Sequence, residues 1–212
     1  MAIRLLPCAA LALILAGCAG GGELDETGGL KITRSTCPAI AIPAYTGDIT
    51  VFSPPQSHDA RALDIEATIT NLRTTCDESG TTVHSNATFD VIATRANAQG
   101  ARDVVLPYFA TVMRAGTRIV SKQVGQVQVH FAAGSARGSG SAVATAAIDK
   151  ASASLPRDLS ARLNRKRKPT DADASIDPMA DPRTRATVAQ SNFELLVGFQ
   201  LNQDQIAYNA TK

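Results

Sequence analysis

Leu63-Asp64-Ile65-Glu66-Ala67-Thr68-Ile69-Thr70 alternates apolar with polar residues at a period of two. Successive side chains of a strand point to opposite faces, so the stretch fits a strand with one face in a core and the other in water. The same period runs through 83–95, where Ala87, Phe89, Val91 and Ala93 share the inward face. Turn signals punctuate the pattern: Asp77-Glu78-Ser79-Gly80, then Asn97 to Gly100, then Arg114-Ala115-Gly116-Thr117 between strands at 104–113 and 118–131. Pro107 cannot donate to a ladder and marks an edge or a bulge. Within 118–131 the inward phase runs from Ile119 or Val120 to Val124 and resumes one step later at Val127, Val129 and Phe131. That slip predicts a β-bulge near Gly125. Residues 134–141 read as a glycine-rich loop and 142–148 as a further strand.

Strands joined by short turns, without helices between them, predict a mainly β fold: an antiparallel β-sandwich of immunoglobulin-like type. A bulged barrel is the other way to close the same strands. A short helical excursion at 155–190 interrupts the rhythm before the last strand. There Leu155, Leu159 and Leu163 recur every four residues with Pro156 in a first turn, and Asp181-Pro182 forms an N-cap and first-position pair for a helix to Gln190. Residues 169–180 between them are polar and expected to be mobile. Phe193 to Leu201 is apolar on nearly both faces, as a central strand would be, and Asn202 caps a last helix that turns Ile206 and Tyr208 to the sheet.

Ahead of this domain, Arg4 precedes an apolar run at 5–17 that ends in Leu15-Ala16-Gly17-Cys18. As a helix the run reaches about 20 Å, short of the roughly 30 Å hydrocarbon core, so it reads as a cleaved signal. Leu15-Ala16-Gly17-Cys18 resembles the lipobox of bacterial lipoproteins. The resemblance implies a signal peptide at 1–17, lipid on Cys18 and, because Ala19 rather than aspartate follows, attachment to the periplasmic face of the outer membrane. Residues 18–36, glycine-rich and acidic, become a lipidated flexible tether reaching roughly 20–25 Å, and 37–212 the single folded domain. Of four cysteines, Cys8 leaves with the signal and Cys18 takes the lipid. Cys37 and Cys76 remain, in an oxidising compartment where a disulfide is expected and two free thiols are the alternative. The bridge would contribute roughly 4 kcal/mol by shrinking the unfolded ensemble. A second resemblance rests on Val197-Gly198-Phe199-Gln200-Leu201 with Gln205, Ala207, Tyr208 and Asn209, on Cys37-Pro38 and on Pro107-Tyr108-Phe109. These are similar to an uncharacterised proteobacterial envelope lipoprotein family, which supports the fold and carries no activity.

Lys and Arg number 21 against 19 Asp and Glu, and removal of Arg4 leaves 20 against 19. Such a balance argues against nucleic acid as a partner. Ser57-His58-Asp59 holds the residue types of a hydrolase triad, but consecutive side chains diverge. His84 and His130 sit at outward strand positions, where a shared metal is weighed against two solvated histidines. Asp171-Ala172-Asp173-Ala174-Ser175-Ile176-Asp177 imitates a calcium loop yet lacks the glycine at its sixth position and the closing glutamate. Asp64 and Glu66 share a face with no pocket implied, and the glycines of 134–140 lack the lysine and hydroxyl of a phosphate loop. No catalytic residue, metal or cofactor is expected. Arg162, Arg165, Lys166, Arg167 and Lys168 form a basic cluster suited to anionic lipid headgroups or an acidic partner, a solvated helix end being the plainer reading. The function expected is that of a non-enzymatic, lipid-anchored binding or structural module, held by outer-membrane lipid and engaging another envelope component. The alternatives are an envelope hydrolase whose site assembles from separated strands around His84 or His130, and a strand-exchanging, chaperone-like module.

Overall fold

The computed structural model describes residues 35–165 and 167–212. Its strands are β1 (Ala39–Ala41), β2 (Asp48–Phe52), β3 (Leu63–Asp77), β4 (Thr82–Arg95), β5 (Arg102–Arg114), β6 (Arg118–Phe131), β7 (Arg137–Asp149) and β8 (Phe193–Phe199). Short helices α1 (Lys150–Ala153), α2 (Arg157–Leu163), α3 (Pro182–Gln190) and α4 (Gln203–Thr211) complete the chain. No described helix is long and apolar enough to cross a membrane.

The mainly β expectation holds, but the strands do not form the two facing sheets of an immunoglobulin-like sandwich. They form one eight-stranded sheet in the order β1-β8-β5-β6-β7-β4-β3-β2, curled into a half-barrel. It is also mixed rather than antiparallel, because β1 runs parallel to β8. A period of two reports that each strand buries one face. It does not report whether that face meets a second sheet or the far side of its own sheet, since both closures demand the same alternation.

The buried face is the one the alternation marks. Ile65, Ala67 and Ile69 of β3, Ala87, Phe89, Val91 and Ala93 of β4, and Val127, Val129 and Phe131 of β6 all lie in the core. Leu195, Val197 and Phe199 of β8 join them, and β8 is central, with β1 on one side and β5 on the other. Leu159 and Val188 anchor the helical excursion, where Asp181 caps α3 by accepting from the N–H groups of Arg183 and Thr184. Pro156 stands at the N-cap of α2, just ahead of its first turn.

Three local expectations change. Gly125 is not bulged: it pairs in register with Tyr108, and the irregularity falls between Val112 and Met113, opposite Ser121 and Ile119, so that Val120 is the extra residue. Residues 137–141 are strand, not loop. Gly138 and Gly140 are needed there because β7 crosses so close to β6 that a Cβ on Gly138 would fall 2.6 Å from the His130 carbonyl oxygen, and one on Gly140 would collide with that of Gln128. Pro107 sits where the β8 ladder starts at Tyr108, so its missing N–H leaves no gap, and its carbonyl accepts from Gln200 N–H at 2.9 Å.

The two outer edges of the sheet are drawn together. Cys37 and Cys76 form the expected disulfide, tying the segment before β1 to the end of β3. Beside it the turn at 43–47 bridges the edges: Phe199 N–H donates to Thr46 O at 2.7 Å and Ile69 N–H to Gly47 O at 2.8 Å. Asn209 of α4 donates to the Tyr45 and Asp48 carbonyls, both at 2.8 Å. One open end of the half-barrel is plugged by Arg95, only 5% exposed. It donates to the carbonyls of Ser135, Ala98 and Ala132 and lies 5.1 Å from the Phe131 ring centroid. Asp64 and Arg102 form a two-pronged ion pair at 2.7 and 2.8 Å near the same end. The guanidinium bonds hold the Asp64 carboxyl below the usual carboxylate range.

Candidate functional site

A sheet edge is a row of backbone donors and acceptors waiting for a partner. The β1 and β2 edges are covered as described. The remaining discontinuity is the seam between β6 and β7, where registered pairing is confined to His130 and Ser139. From there back to Arg118, β6 is laddered with β5 alone.

The hairpin before β6 explains why it can stand free. Ala115 and Gly116 both take positive φ, 56° and 70°, as a tight two-residue turn requires. Thr117 N–H closes it on Arg114 O at 3.3 Å, and Ala115 N–H donates to Asn192 O at 3.0 Å, fixing the turn to the start of β8. Arg114 lies over the Phe193 ring at 5.5 Å from the centroid. The hairpin is therefore held at its base while residues 118–124 are exposed on both faces.

Which side chains that edge presents follows from the register. Leu106, Tyr108, Ala110 and Val112 of β5 face the core, and their partners on β6 are Val127, Gly125, Gln123 and Ser121. The core-side face of free β6 is thus small and polar, while Lys122 and Val124 face outward, Lys122 over the Phe109 ring at 5.3 Å. Ile119 and Val124 are each 61% exposed and Val120 51%. The apparent apolar phase of 119–124 belongs to the wet face. Behind the edge, the Tyr108 ring lies across Gly125, edge-on to Phe89 at 5.0 Å between centroids, and donates to Val143 O of β7 at 2.9 Å. Burial raises the Tyr108 phenol above its ordinary pKa.

The charge of this region has one sign. From Val104 to Ile148 the chain contains no aspartate or glutamate, while Arg114, Arg118, Lys122 and Arg137 fall within it. For residues 118–124 the nearest carboxylate in register is Glu194, which is separated from Ile119 by Met113 of β5. That places it two strands away, about 10 Å across the sheet.

The residues singled out from sequence do not converge. Ser57 Oγ accepts from Asp59 N–H at 3.3 Å, and the Asp59 carboxylate caps a 3-10 turn through Arg61 N–H at 2.8 Å. The His58 ring packs against Phe52 and Tyr208, so the three side chains have three separate destinations. Of the three, His58 alone lines a groove of about 340 Å³ between β2 and the start of α4, where Asp204 is the one acid. His130 lies beside Asp103 with Nδ1 at 2.7 Å from Oδ1. His130 is in register with Ser139 and thence with Ile92, eight residues along β4 from His84, which is about 26 Å of strand. No group of three or more side chains able to hold a metal ion exists among the described residues. Asp64 is paired with Arg102 and Glu66 with Lys212.

The basic cluster is partly neutralised from within. Arg165 and Arg167 both reach Asp173, Arg167 also donates to Ile176 O at 3.1 Å, and Arg162 donates to Thr184 Oγ1 at 3.3 Å. Asp171 instead accepts from Lys168 N–H at 3.0 Å, and Asp177 caps the 3-10 turn at 178–180, so the three aspartates of the imitated calcium loop have structural partners. Cys18 and Lys166 lie outside the described residues. The buried Arg95 was not singled out from sequence, although it continues the inward phase of Val91 and Ala93 and was legible by that extension. No family model, no curated protein and no solved structure matches the chain.

Proposed function

We propose that the protein is a non-enzymatic binding module of the outer membrane, anchored by lipid on Cys18 at the periplasmic face and engaging another envelope component through the free half of β6. The observation that carries this reading is a strand exposed on both faces, with a ladder on one side only and three large apolar side chains in water. Exposed flat edges are a hazard that chains usually cover, and this chain covers its β1 and β2 edges. An edge left open on an otherwise stapled sheet supports a role in docking, with the anchor holding the module near its partner.

Two experiments test the reading. Metabolic labelling with palmitate should mark the native chain and not Cys18→Ser; label retained on the variant would sink the anchor. Photo-crosslinking in intact cells should trap a specific adduct from position 124 of β6 and not from position 88 on the outer face of β4. Adducts of equal yield from both positions, or from neither, would overturn the docking role of β6.

A further inference from the structure

We propose that the β6 edge accepts an extended acidic segment of a partner protein, added as a strand alongside residues 118–125, with a carboxylate facing Lys122 and apolar residues facing Val124 and Ile119. The inference rests on the binding-module reading above and adds the chemistry of what is bound. A strand added at an edge gains main-chain hydrogen bonds whatever its sequence, so specificity must come from its alternate side chains. On the outward face β6 offers apolar Ile119, cationic Lys122 and apolar Val124; on the other it offers Ser121, Gln123 and Gly125. The complementary strand therefore reads apolar, any, acidic, any, apolar. That pattern is the same in either chain direction, so parallel and antiparallel additions satisfy it equally.

Charge decides among occupants. Opposite charges facing one another across strands stabilise pairing and like charges oppose it. Arg118 and Lys122 form no ion pair among the described residues, and no carboxylate occurs between Val104 and Ile148 to balance them. A second copy of β6 would bring another arginine and another lysine to the same edge and no acid. An acidic partner brings the missing charge, and the exposure of both cations makes the gain sensitive to salt.

The test uses the full chain in non-ionic detergent and a fluorescent peptide made of three Val-Thr-Glu-Thr repeats closed by Val. Anisotropy should show saturable binding that weakens as salt is raised, and hydrogen exchange should slow within 118–125. A peptide with lysine in place of glutamate should bind at least tenfold more weakly, and Lys122→Glu with Arg118→Glu should reverse that preference. If glutamate, glutamine and lysine peptides protect 118–125 equally, the edge takes a strand without reading charge, and the acidic assignment falls while the docking role stands. If no peptide protects 118–125, both fall. Protection that develops with protein concentration alone, or with phosphatidylglycerol vesicles in preference to peptide, would assign the edge to a second copy or to lipid and overturn the proposal.

Discussion

Replacing Gly125 with alanine puts a methyl group into the space held by the Tyr108 ring, where it would lie 2.5 Å from the phenolic oxygen and closer still to Cζ. The atoms met belong to the far end of a side chain, so the ring moves rather than the backbone. Moving it costs the hydrogen bond to Val143 O, about 1 kcal/mol net. It also costs the edge-to-face contact with Phe89, about 1 kcal/mol. Against this, removing a glycine from a strand interior returns about 0.5–1 kcal/mol. The net expectation is a destabilisation of about 1–1.5 kcal/mol. Tyr108→Leu supplies the control, because leucine lacks the three ring atoms that the new methyl meets. In that background Gly125→Ala should stabilise by about 0.5 kcal/mol, a reversal of sign that amounts to a coupling of about 2 kcal/mol. Urea unfolding followed by circular dichroism reads this as opposite shifts in midpoint at constant slope. Equal effects of Gly125→Ala in both backgrounds would refute the claim that Tyr108 occupies the glycine's space.

Three further outcomes follow from the rest of the fold. Replacing both Cys37 and Cys76 with serine opens a loop spanning a sequence separation of 39, and should lower stability by about 4 kcal/mol, checked by the urea midpoint against the oxidised parent. Arg95→Met removes three charge-assisted hydrogen bonds to part-buried carbonyls, of which Ala98 O keeps the Gly134 N–H and Ala132 O keeps the Ser135 N–H as donor. With the Ser135 carbonyl the one that loses its donor outright, the cost should be about 1.5–3 kcal/mol, and calorimetry should show the loss. Because the Asp64 carboxyl is held below its ordinary pKa by Arg102, its contribution is complete above the unfolded-state value and is lost as pH falls through the lower folded value. Asp64→Asn should therefore be destabilising near neutral pH and converge on the parent under acid conditions, read from thermal midpoints across a pH series.

What the sequence made legible was local and one-dimensional. Alternation at 63–70 and 83–95 identified the buried faces, and Asp181-Pro182 located α3, because each depends on residues within a few positions of one another. Closure was not legible, since a strand that buries Phe89 looks the same whether it faces a second sheet or its own far side. Gly125 shows the same limit at residue scale. From sequence, a glycine at a break in phase suggests a bulge; in the fold it is the hollow under a tyrosine from the neighbouring strand, and the phase break moves to Val120. From sequence Gly138 and Gly140 read as loop residues, because the reason for them, the backbone of β6 crossing overhead, lies on another strand. The basic cluster stood out as a bare row of charge for the corresponding reason: Asp173, the partner of Arg165 and Arg167, is set against it only by the turn of 169–180.

The docking reading gains its force from a contrast between the two seams of one sheet. At the seam between β3 and β8 the chain uses a disulfide, a turn with two bridging hydrogen bonds and a helix bearing Asn209. At the seam between β6 and β7 it uses one registered pair, two close glycines and the hydroxyl of Tyr108. Those glycines let β7 cross β6 at one end, and from that crossing the two strands part. Had the seam been meant to zip, side chains at 138 and 140 would have kept the backbones at ordinary spacing and allowed the ladder to continue. The hinge at the glycines and the free half of β6 are thus one feature. Filling the hinge by Gly140→Val should alter hydrogen exchange at 118–125 without touching any residue of that edge. Unchanged exchange there, in a variant that remains folded, would show that the opening of β6 has another cause.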